Sequence, residues 1–310
     1  MNVLLTGSSG LIGTALIERL RAGGHTVTRL VRPGATPAPS GTGVTAVTWD
    51  PSTGSVDRDG LERAGPFDGA VNLAGAGIGD KRWSPARKAI ILDSRVSATS
   101  LLVETLIHLS TPPPVLVSAS AVGFYGDRGD EELTEESPTG SGFLASVCRA
   151  WEGAAAPAAA AGIRTVTVRT GIVLSRHGGA WGTQLPLFRL GLGGRMGPGT
   201  QYRSWITLED EVGALLHGLE DGGVSGPVNA TGPIPATDAE LARALGAALH
   251  RPSVVAVPSV ALRLALGAEM AHELILGGQR VVPAALISRG FTFAHTDLDH
   301  AVRSVLASDR

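Results

Sequence analysis

The sequence predicts an α/β protein on a doubly wound parallel sheet, and three observations carry that reading. A glycine-rich turn, Thr6-Gly7-Ser8-Ser9-Gly10-Leu11-Ile12-Gly13, follows directly on a short apolar strand. Apolar, β-rich runs recur at residues 2–6, 25–31, 44–49, 69–74, 115–119 and 164–169, with helical stretches between them. Such alternation is what a parallel sheet covered by helices on both faces requires. Beyond Arg169 the alternation loosens, which predicts a smaller C-terminal α/β lobe beside the main sheet.

Asn2 to Leu5 supply the first strand, and Leu11, Ala15, Ile17 and Leu20 have the apolar spacing of a helix. The glycines therefore stand at a strand-to-helix turn, the setting of a Rossmann-type dinucleotide site. Gly7 makes the tight turn, Gly10 admits the pyrophosphate to the backbone, and Gly13 lets the helix pack on the sheet. Ser8, Ser9, Leu11 and Ile12 complete the cradle, and the helix N-terminus offers free N–H groups to the phosphates. The second strand, His25 to Arg32, ends where a carboxylate would hold an unphosphorylated adenosine ribose. None is present: apart from Glu18, no acidic residue occurs before Asp50. Arg32 suits a 2′-phosphate instead, so the cofactor reading is NADP(H). Arg29, three residues earlier, reads as a solvated strand charge.

Pro33 to Gly43 is rich in Pro, Gly and Ser and reads as a surface loop. Leu73, Ala74 and Gly75 follow the fourth strand. A long helix over about 84–109 is stopped by Pro112-Pro113-Pro114. Residues 126–141 are polar and acidic, a loop whose charges read as solvated. The glycine-rich stretch 178–204 reads as a cover on the cofactor side, before a helix near 209–220 and a strand at Val228 to Ala230. The predicted main domain is thus 1–177 plus about 208–232, and the smaller lobe is 178–207 with 233–310.

The chain has 310 residues and a formal net charge of −2 without a basic cluster, which argues against a nucleic-acid surface. A single cysteine, Cys148, allows neither a disulfide framework nor a cysteine metal site. His177 and His217 lack partners at metal-ligand spacing, so no metal is expected. The start turns glycine-rich too early for a signal peptide. No apolar run reaches the ~18 residues of a membrane span. The expectation is a soluble, cytoplasmic protein acting on a small molecule, with the oligomeric state left open.

These residues resemble the extended short-chain dehydrogenase/reductases, in the sugar-epimerase-like branch. The resemblance rests on Thr6-Gly7 to Gly13, Asn72-Leu73-Ala74-Gly75, Ser118-Ala119-Ser120 leading to Tyr125-Gly126, and Arg169. More narrowly the chain looks like an atypical subgroup of epimerase-family proteins, sometimes described as cell-division-inhibitor homologues. Its marks are Arg82-Trp83, Ser94-Arg95, Ser120-Ala121-Val122-Gly123, Trp151-Glu152 and Arg169-Thr170-Gly171, with Ile172 next to them. Leu190 to Gly194, Ser204-Trp205-Ile206, the tail Gly277 to Pro283 and Gly290-Phe291 extend the match over almost the whole chain. The tail resembles a C-terminal domain of unknown function. Thr207 departs from the subgroup, where a histidine usually follows Ser-Trp-Ile.

Ordinary members of the superfamily use a Tyr-x-x-x-Lys pair, whose phenol moves a proton while the lysine lowers its pKa and holds the ribose. This chain has Tyr125 and Tyr202, followed four residues on by Gly129 and Ile206. Aligning Glu152 with the usual helix puts Leu144 at the tyrosine position and Cys148 at the lysine position, and neither replaces the pair. Cys148 reads as a small buried hydrophobe. Tyr125 is the remaining candidate proton donor, although without a lysine its pKa of about 10 makes it a poor base. Ser118 and Ser120, at the end of the fifth strand, are candidates to bond a substrate carbonyl or the nicotinamide amide, or simply to cap the strand. Arg95 is a candidate contact to the cofactor or substrate, and the resemblance adds Leu73, Ala74, Gly75 and Ile172 to the cofactor contacts. Glu209-Asp210 reads as a helix cap. Arg203 and Trp205 suggest an anion and stacking platform, with Trp205 more a packing residue. Two readings stay open: an NADP(H)-dependent oxidoreductase or epimerase-like enzyme with a non-standard proton path, and a non-catalytic NADP(H)-binding module that acts through a protein partner.

Overall fold

The computed structural model describes residues 1–34 and 42–307. The chain enters on β1 (Asn2–Thr6), α1 (Leu11–Ala22), β2 (Thr26–Val31), β3 (Val44–Asp50) and the short β4 (Ser55–Val56). Then come α2 (Arg58–Ala64), β5 (Gly69–Asn72), α3 (Pro85–Ile107), β6 (Val115–Ala121) and a 3-10 turn at Val122–Tyr125. The next part runs through β7 (Glu132–Leu133), α4 (Phe143–Ala160), β8 (Arg164–Thr170) and β9 (Ile172–Leu174). It continues with α5 (Gly179–Gly182), α6 (Leu185–Arg189), β10 (Tyr202–Arg203), β11 (Trp205–Thr207) and α7 (Leu208–Glu220). The remainder is β12 (Gly226–Ala230), β13 (Ala236–Thr237), α8 (Asp238–Leu249), α9 (Ser259–Leu266) and α10 (Ala268–Ala271). A π-helical turn at His272–Leu276, β14 (Arg280–Val281), α11 (Ala284–Ser288) and α12 (Leu298–Ala307) close it.

The main sheet runs β12-β8-β6-β5-β1-β2-β3-β4. All its pairings are parallel except β3 with β4. Strand order reverses between β1 and β5, and in such sheets the crevice at this switch, at the carboxyl ends of the strands, takes the ligand. Val3, Leu5, Leu16, Leu20, Val117 and Leu215 belong to a core on the α1–α7 face. Leu4, Leu61, Leu102, Leu106 and Leu116 belong to one on the α2–α3 face. Alternate residues of β1 thus feed opposite cores, as a strand buried on both faces must.

The smaller lobe has its own core of Trp181, Leu185, Phe188, Trp205, Leu241, Leu245 and Val302. Its predicted extent needs one correction. Leu286, Phe291 and Phe293 pack with the main α1–α7 core, so α11 and the stretch through Phe293 return to the large domain, while α12 packs in the smaller lobe through Ala301 and Val302. Residues 126–141 also differ from a solvated loop. Leu133 is fully buried, β7 pairs in parallel with β14, and Glu135 Oε1 accepts from the N–H groups of Asn229 (2.9 Å) and Ala285 (3.1 Å). That carboxylate joins a loop, a strand end and a helix start, none close in sequence. Most of the Pro33–Gly43 connection, residues 35–41, lies outside the described residues, as do residues 308–310. Among the described residues, no helix is long and apolar enough to cross a membrane.

Candidate functional site

The glycine turn is built as its spacing predicts, and each glycine meets a different constraint. Gly7 has φ +68°, and a Cβ there would stand 2.4 Å from the Leu73 carbonyl oxygen. A Cβ on Gly13 would fall 2.3 Å from the Gly7 carbonyl oxygen. Both positions are therefore fixed by the fold itself. Gly10 differs: its φ of −78° suits any residue, and a Cβ would meet nothing nearer than Gly7 O at 3.4 Å. The bare backbone at Gly10 opens onto space outside the protein, over the start of α1. Helix α1 has no side-chain cap and no acidic residue in its first turn. Its first N–H groups thus face outward with the positive end of the helix dipole. The first turn of α7, by contrast, carries Glu209, Asp210 and Glu211. Ser9 and Gly10 are exposed, Leu11 and Ile12 half-buried, and Ser8 buried.

On the adenosine side, Arg32 is exposed just past β2. Its charge reaches Asp50, whose carboxyl is held below its usual value first by hydrogen bonds from Ser52 and lastly by Arg32. Arg29 is not the solvated charge the sequence suggests. It is 5% exposed, it shares the α1 side of β2 with Val27, and its Nε is enclosed without a hydrogen-bond partner.

On the other side of the switch point, the strand ends are pinned by a buried chain of side chains. Thr6 Oγ1 donates to Asn72 Oδ1 (2.7 Å) and accepts from the Leu73 N–H (3.1 Å). Asn72 Nδ2 donates to Thr99 Oγ1 (2.8 Å) and Ser118 Oγ (3.1 Å). Because Asn72 Oδ1 also takes the Ala74 N–H (3.4 Å), β5 stops there and Leu73 to Gly75 form a turn rather than more strand. Ser118 is 1% exposed and engaged in this chain, which corrects its expected place against a ligand.

Ser120 and Tyr125, the expected chemical groups, belong to a second network. Ser120 Oγ donates to Glu152 Oε1 (2.7 Å). Arg169 grips both oxygens of Glu152 through Nε and Nη2, each at 2.9 Å. Its Nη1 donates to the Tyr125 hydroxyl (2.9 Å), which donates to Asn229 Oδ1 (2.7 Å). The guanidinium also lies 3.5 Å from the centroid of the Phe124 ring. Tyr125 is fully buried, and burial pushes its pKa up against the opposing pull of Arg169. A phenol sealed from the cleft and held at both ends does not deliver a proton to a ligand, so the expected role for Tyr125 is corrected to a structural one.

Helix α4 carries the register of the absent pair. Its N-cap, Gly142, has no side chain, and Glu273 of the π-helical turn accepts the N–H groups of Phe143 and Leu144, both at 2.7 Å. A Cβ on Gly123 would lie 3.2 Å from Leu144 Cβ and 3.9 Å from Cys148 Sγ, so both residues of the register face the end of β6. Cys148 is 3% exposed, and burial pushes its thiol up to about 11. It is a buried hydrophobe, not a nucleophile.

Two further expectations are revised. Arg203 is 7% exposed and is consumed by Asp238 (3.3 Å) and the Leu274 and Ile275 carbonyls, and Trp205 is core, so they form no open platform. Thr207, not Glu209 or Asp210, caps α7, accepting the Asp210 N–H at 3.1 Å. Asp210 instead receives the N–H groups of Ala294 (2.7 Å) and His295 (3.2 Å), tying the tail to α7. Ile172 is half-buried, with its N–H donated to the Ser204 carbonyl at 2.7 Å. Sequence reasoning missed Glu135, Asn229 and Glu273, whose partners lie about a hundred residues or more away (94, 104 and 130 apart).

Residues 3–230 match the NAD dependent epimerase/dehydratase family, and residues 257–305 match a domain of unknown function (DUF1731). An epimerase family protein of Mycobacterium tuberculosis is 45% identical over 97% of this chain and 96% of its own length. The crystal structure of the human epimerase family protein SDR39U1 with NADPH superposes with a TM-score of 0.86, at 35% identity, covering the whole of both chains. That of a nucleoside-diphosphate sugar epimerase from Corynebacterium glutamicum superposes with a TM-score of 0.78 at 38% identity. The match covers 99% of this chain but 58% of that longer one.

Proposed function

The chain belongs to the NAD dependent epimerase/dehydratase family, and on that premise we propose that it binds NADP(H) and works as an oxidoreductase or epimerase-like enzyme on a small molecule. The observation that carries this reading is the Gly10 cradle: an unhindered glycine before an uncapped, acid-free helix start at the end of β1. Gly7 to Gly13 would hold the pyrophosphate, and Leu73 to Gly75 would line its second half. Arg32 would meet the 2′-phosphate. Arg29 lends support from the α1 side of β2, because a buried cation without a counter-charge among the described residues favours an anionic ligand nearby. The human relative was solved with NADPH, which points the same way. When bound, the cofactor supplies the hydride chemistry. The chain's own residues bind and orient. A cytoplasmic setting remains part of this proposal, supported by the single buried thiol.

Calorimetric titration of cofactor-stripped protein with NADPH, NADP⁺, NADH and NAD⁺ tests the binding. Selective NADPH binding is expected, and binding of none of the four would overturn it. Arg32→Glu should weaken NADPH far more than NADH, by about 2 kcal/mol or more. Equal weakening would remove Arg32 as the phosphate reader. Gly10→Ala should leave the melting temperature within a few degrees of wild type while weakening NADPH at least roughly tenfold. Thermal melts and titrations on the same preparation separate the two effects.

A second reading is favoured by the engagement of Ser118, Ser120, Tyr125 and Glu152 in buried networks. With these groups held, NADP(H) would serve as a structural or redox-sensing ligand for a protein partner. A partner or oligomer change that follows NADPH but not NADP⁺ would support sensing. Turnover of NADPH with any of a panel of carbonyl compounds and nucleotide sugars would favour the enzyme.

A further inference from the structure

Arg95 is a half-buried cation only partly used by the protein. It lies on α3, which packs against α4, and its guanidinium sits 4.9 Å from the Trp151 ring, one helical turn beyond Cys148. Nη1 donates to the carbonyls of Ala76 (2.9 Å) and Ile91 (3.0 Å). The neighbouring Ser94 Oγ accepts the Ala76 N–H (3.0 Å), so the pair clamps the turn after β5. A Cβ on Gly75 would stand 3.1 Å from Arg95 Cζ, which puts the charge directly against the turn that borders the cofactor crevice. Gly75 itself is exposed.

Two of the fully buried arginines are held by carboxylates. Arg169 is paired with Glu152, and Arg203 with Asp238. Arg95 has no carboxylate partner among the described residues, and its Nε and Nη2 make no hydrogen bond although neither is sealed from solvent. Burial pulls its pKa down, and its charge is felt by the Cys148 thiol across the helix pair. Cys148 stands in the register where the superfamily's lysine would be, so the position loses its own cation and gains a neighbour's.

We propose that Arg95 takes the place of the missing lysine, with its free Nε and Nη2 donating to the ribose hydroxyls on the nicotinamide half of the cofactor. The inference rests on the NADP(H) reading above. It also accounts for the loss of the lysine without loss of the fold: a guanidinium reaching from α3 brings a fixed positive charge to the same end of the sheet. A guanidinium stays charged where an ammonium would give up its proton, so it holds but does not relay. That matches a site without an acid–base pair.

The test uses two ligands, NADPH and 2′,5′-ADP, which lacks the nicotinamide half. Arg95→Gln keeps one donor for the Ala76 carbonyl and removes the charge. It should weaken NADPH at least roughly tenfold and leave 2′,5′-ADP within about twofold, at an unchanged melting temperature. Arg95→Lys should recover most of the NADPH affinity. Unchanged NADPH binding in Arg95→Gln would overturn the proposal, reducing Arg95 to a clamp on the turn. Equal weakening of both ligands would overturn it too, since that marks a disturbed turn rather than a lost contact. If wild type binds neither ligand, the cofactor reading itself fails and takes this inference with it. If wild type binds both and the variants are indifferent, only the inference fails.

Discussion

Replacing Glu211 with glutamine is expected to make the protein more stable at pH 8 and to flatten a decline in stability that wild type shows between about pH 4.5 and 8. Glu211 is fully buried in the first turn of α7, and its carboxyl is pushed up to about 8 by burial, with a hydrogen bond from Thr170 opposing. Thr170 Oγ1 donates to Oε1 at 2.8 Å, while Oε2 has no partner. The folded protein therefore holds this proton more tightly than the unfolded chain does. Between the two pKa values the native state binds more protons, so stability falls as pH rises. The contribution is complete below about pH 4.5 and gone above about pH 8. A shift from 4.5 to about 8 corresponds to a ceiling of roughly 4–5 kcal/mol. Glutamine keeps an oxygen for Thr170 and cannot ionise. Urea unfolding of both proteins from pH 5 to 8.5 reads the effect, and parallel stability curves would contradict it.

The parts legible in the sequence are those whose reasons lie close along the chain. The turn from Gly7 to Gly13 is set within one strand and one helix, and the stop at Asn72, the last residue of β5, is made by the Ala74 N–H two residues on. Arg29 was misread because strand periodicity gives a side chain's face but not what covers it. Tyr125 was misread for a related reason. Its hydroxyl is satisfied by Asn229, 104 residues on, and by Arg169, so nothing local reveals that it is sealed. Thr207 looked like a lost chemical group and proves to be a helix cap, a role that threonine fills well. The absence of the Tyr-x-x-x-Lys pair was legible by counting residues. What stands around the gap, Glu273 on the α4 start and Arg95 beside Cys148, required three elements brought together from distant segments.

Arg169→Ala should lose about 3–5 kcal/mol, because it strips the partner from a largely buried carboxylate and from a buried phenol at once. The ion pair is bidentate, with side-chain exposures of 5% for Arg169 and 17% for Glu152. Glu152→Ala should cost a comparable amount, because it leaves the more deeply buried Arg169 without its counter-charge, although Arg169 keeps the Tyr125 hydroxyl and the Glu135 carbonyl (3.4 Å). A double variant, Arg169→Met with Glu152→Leu, should be more stable than Arg169→Ala alone, because no charge is left buried without its opposite. Denaturant unfolding of the cycle measures the coupling. The outcome bears on function as well as on stability. A coupling of several kcal/mol means that the Glu152 carboxylate is held in place by Arg169, and the Ser120 hydroxyl with it. The site then binds and orients but does not move protons through this pair. A coupling near zero would mean that Arg169 holds Glu152 only loosely. Ser120 with Glu152 would then return as the proton path that an oxidoreductase without tyrosine and lysine requires.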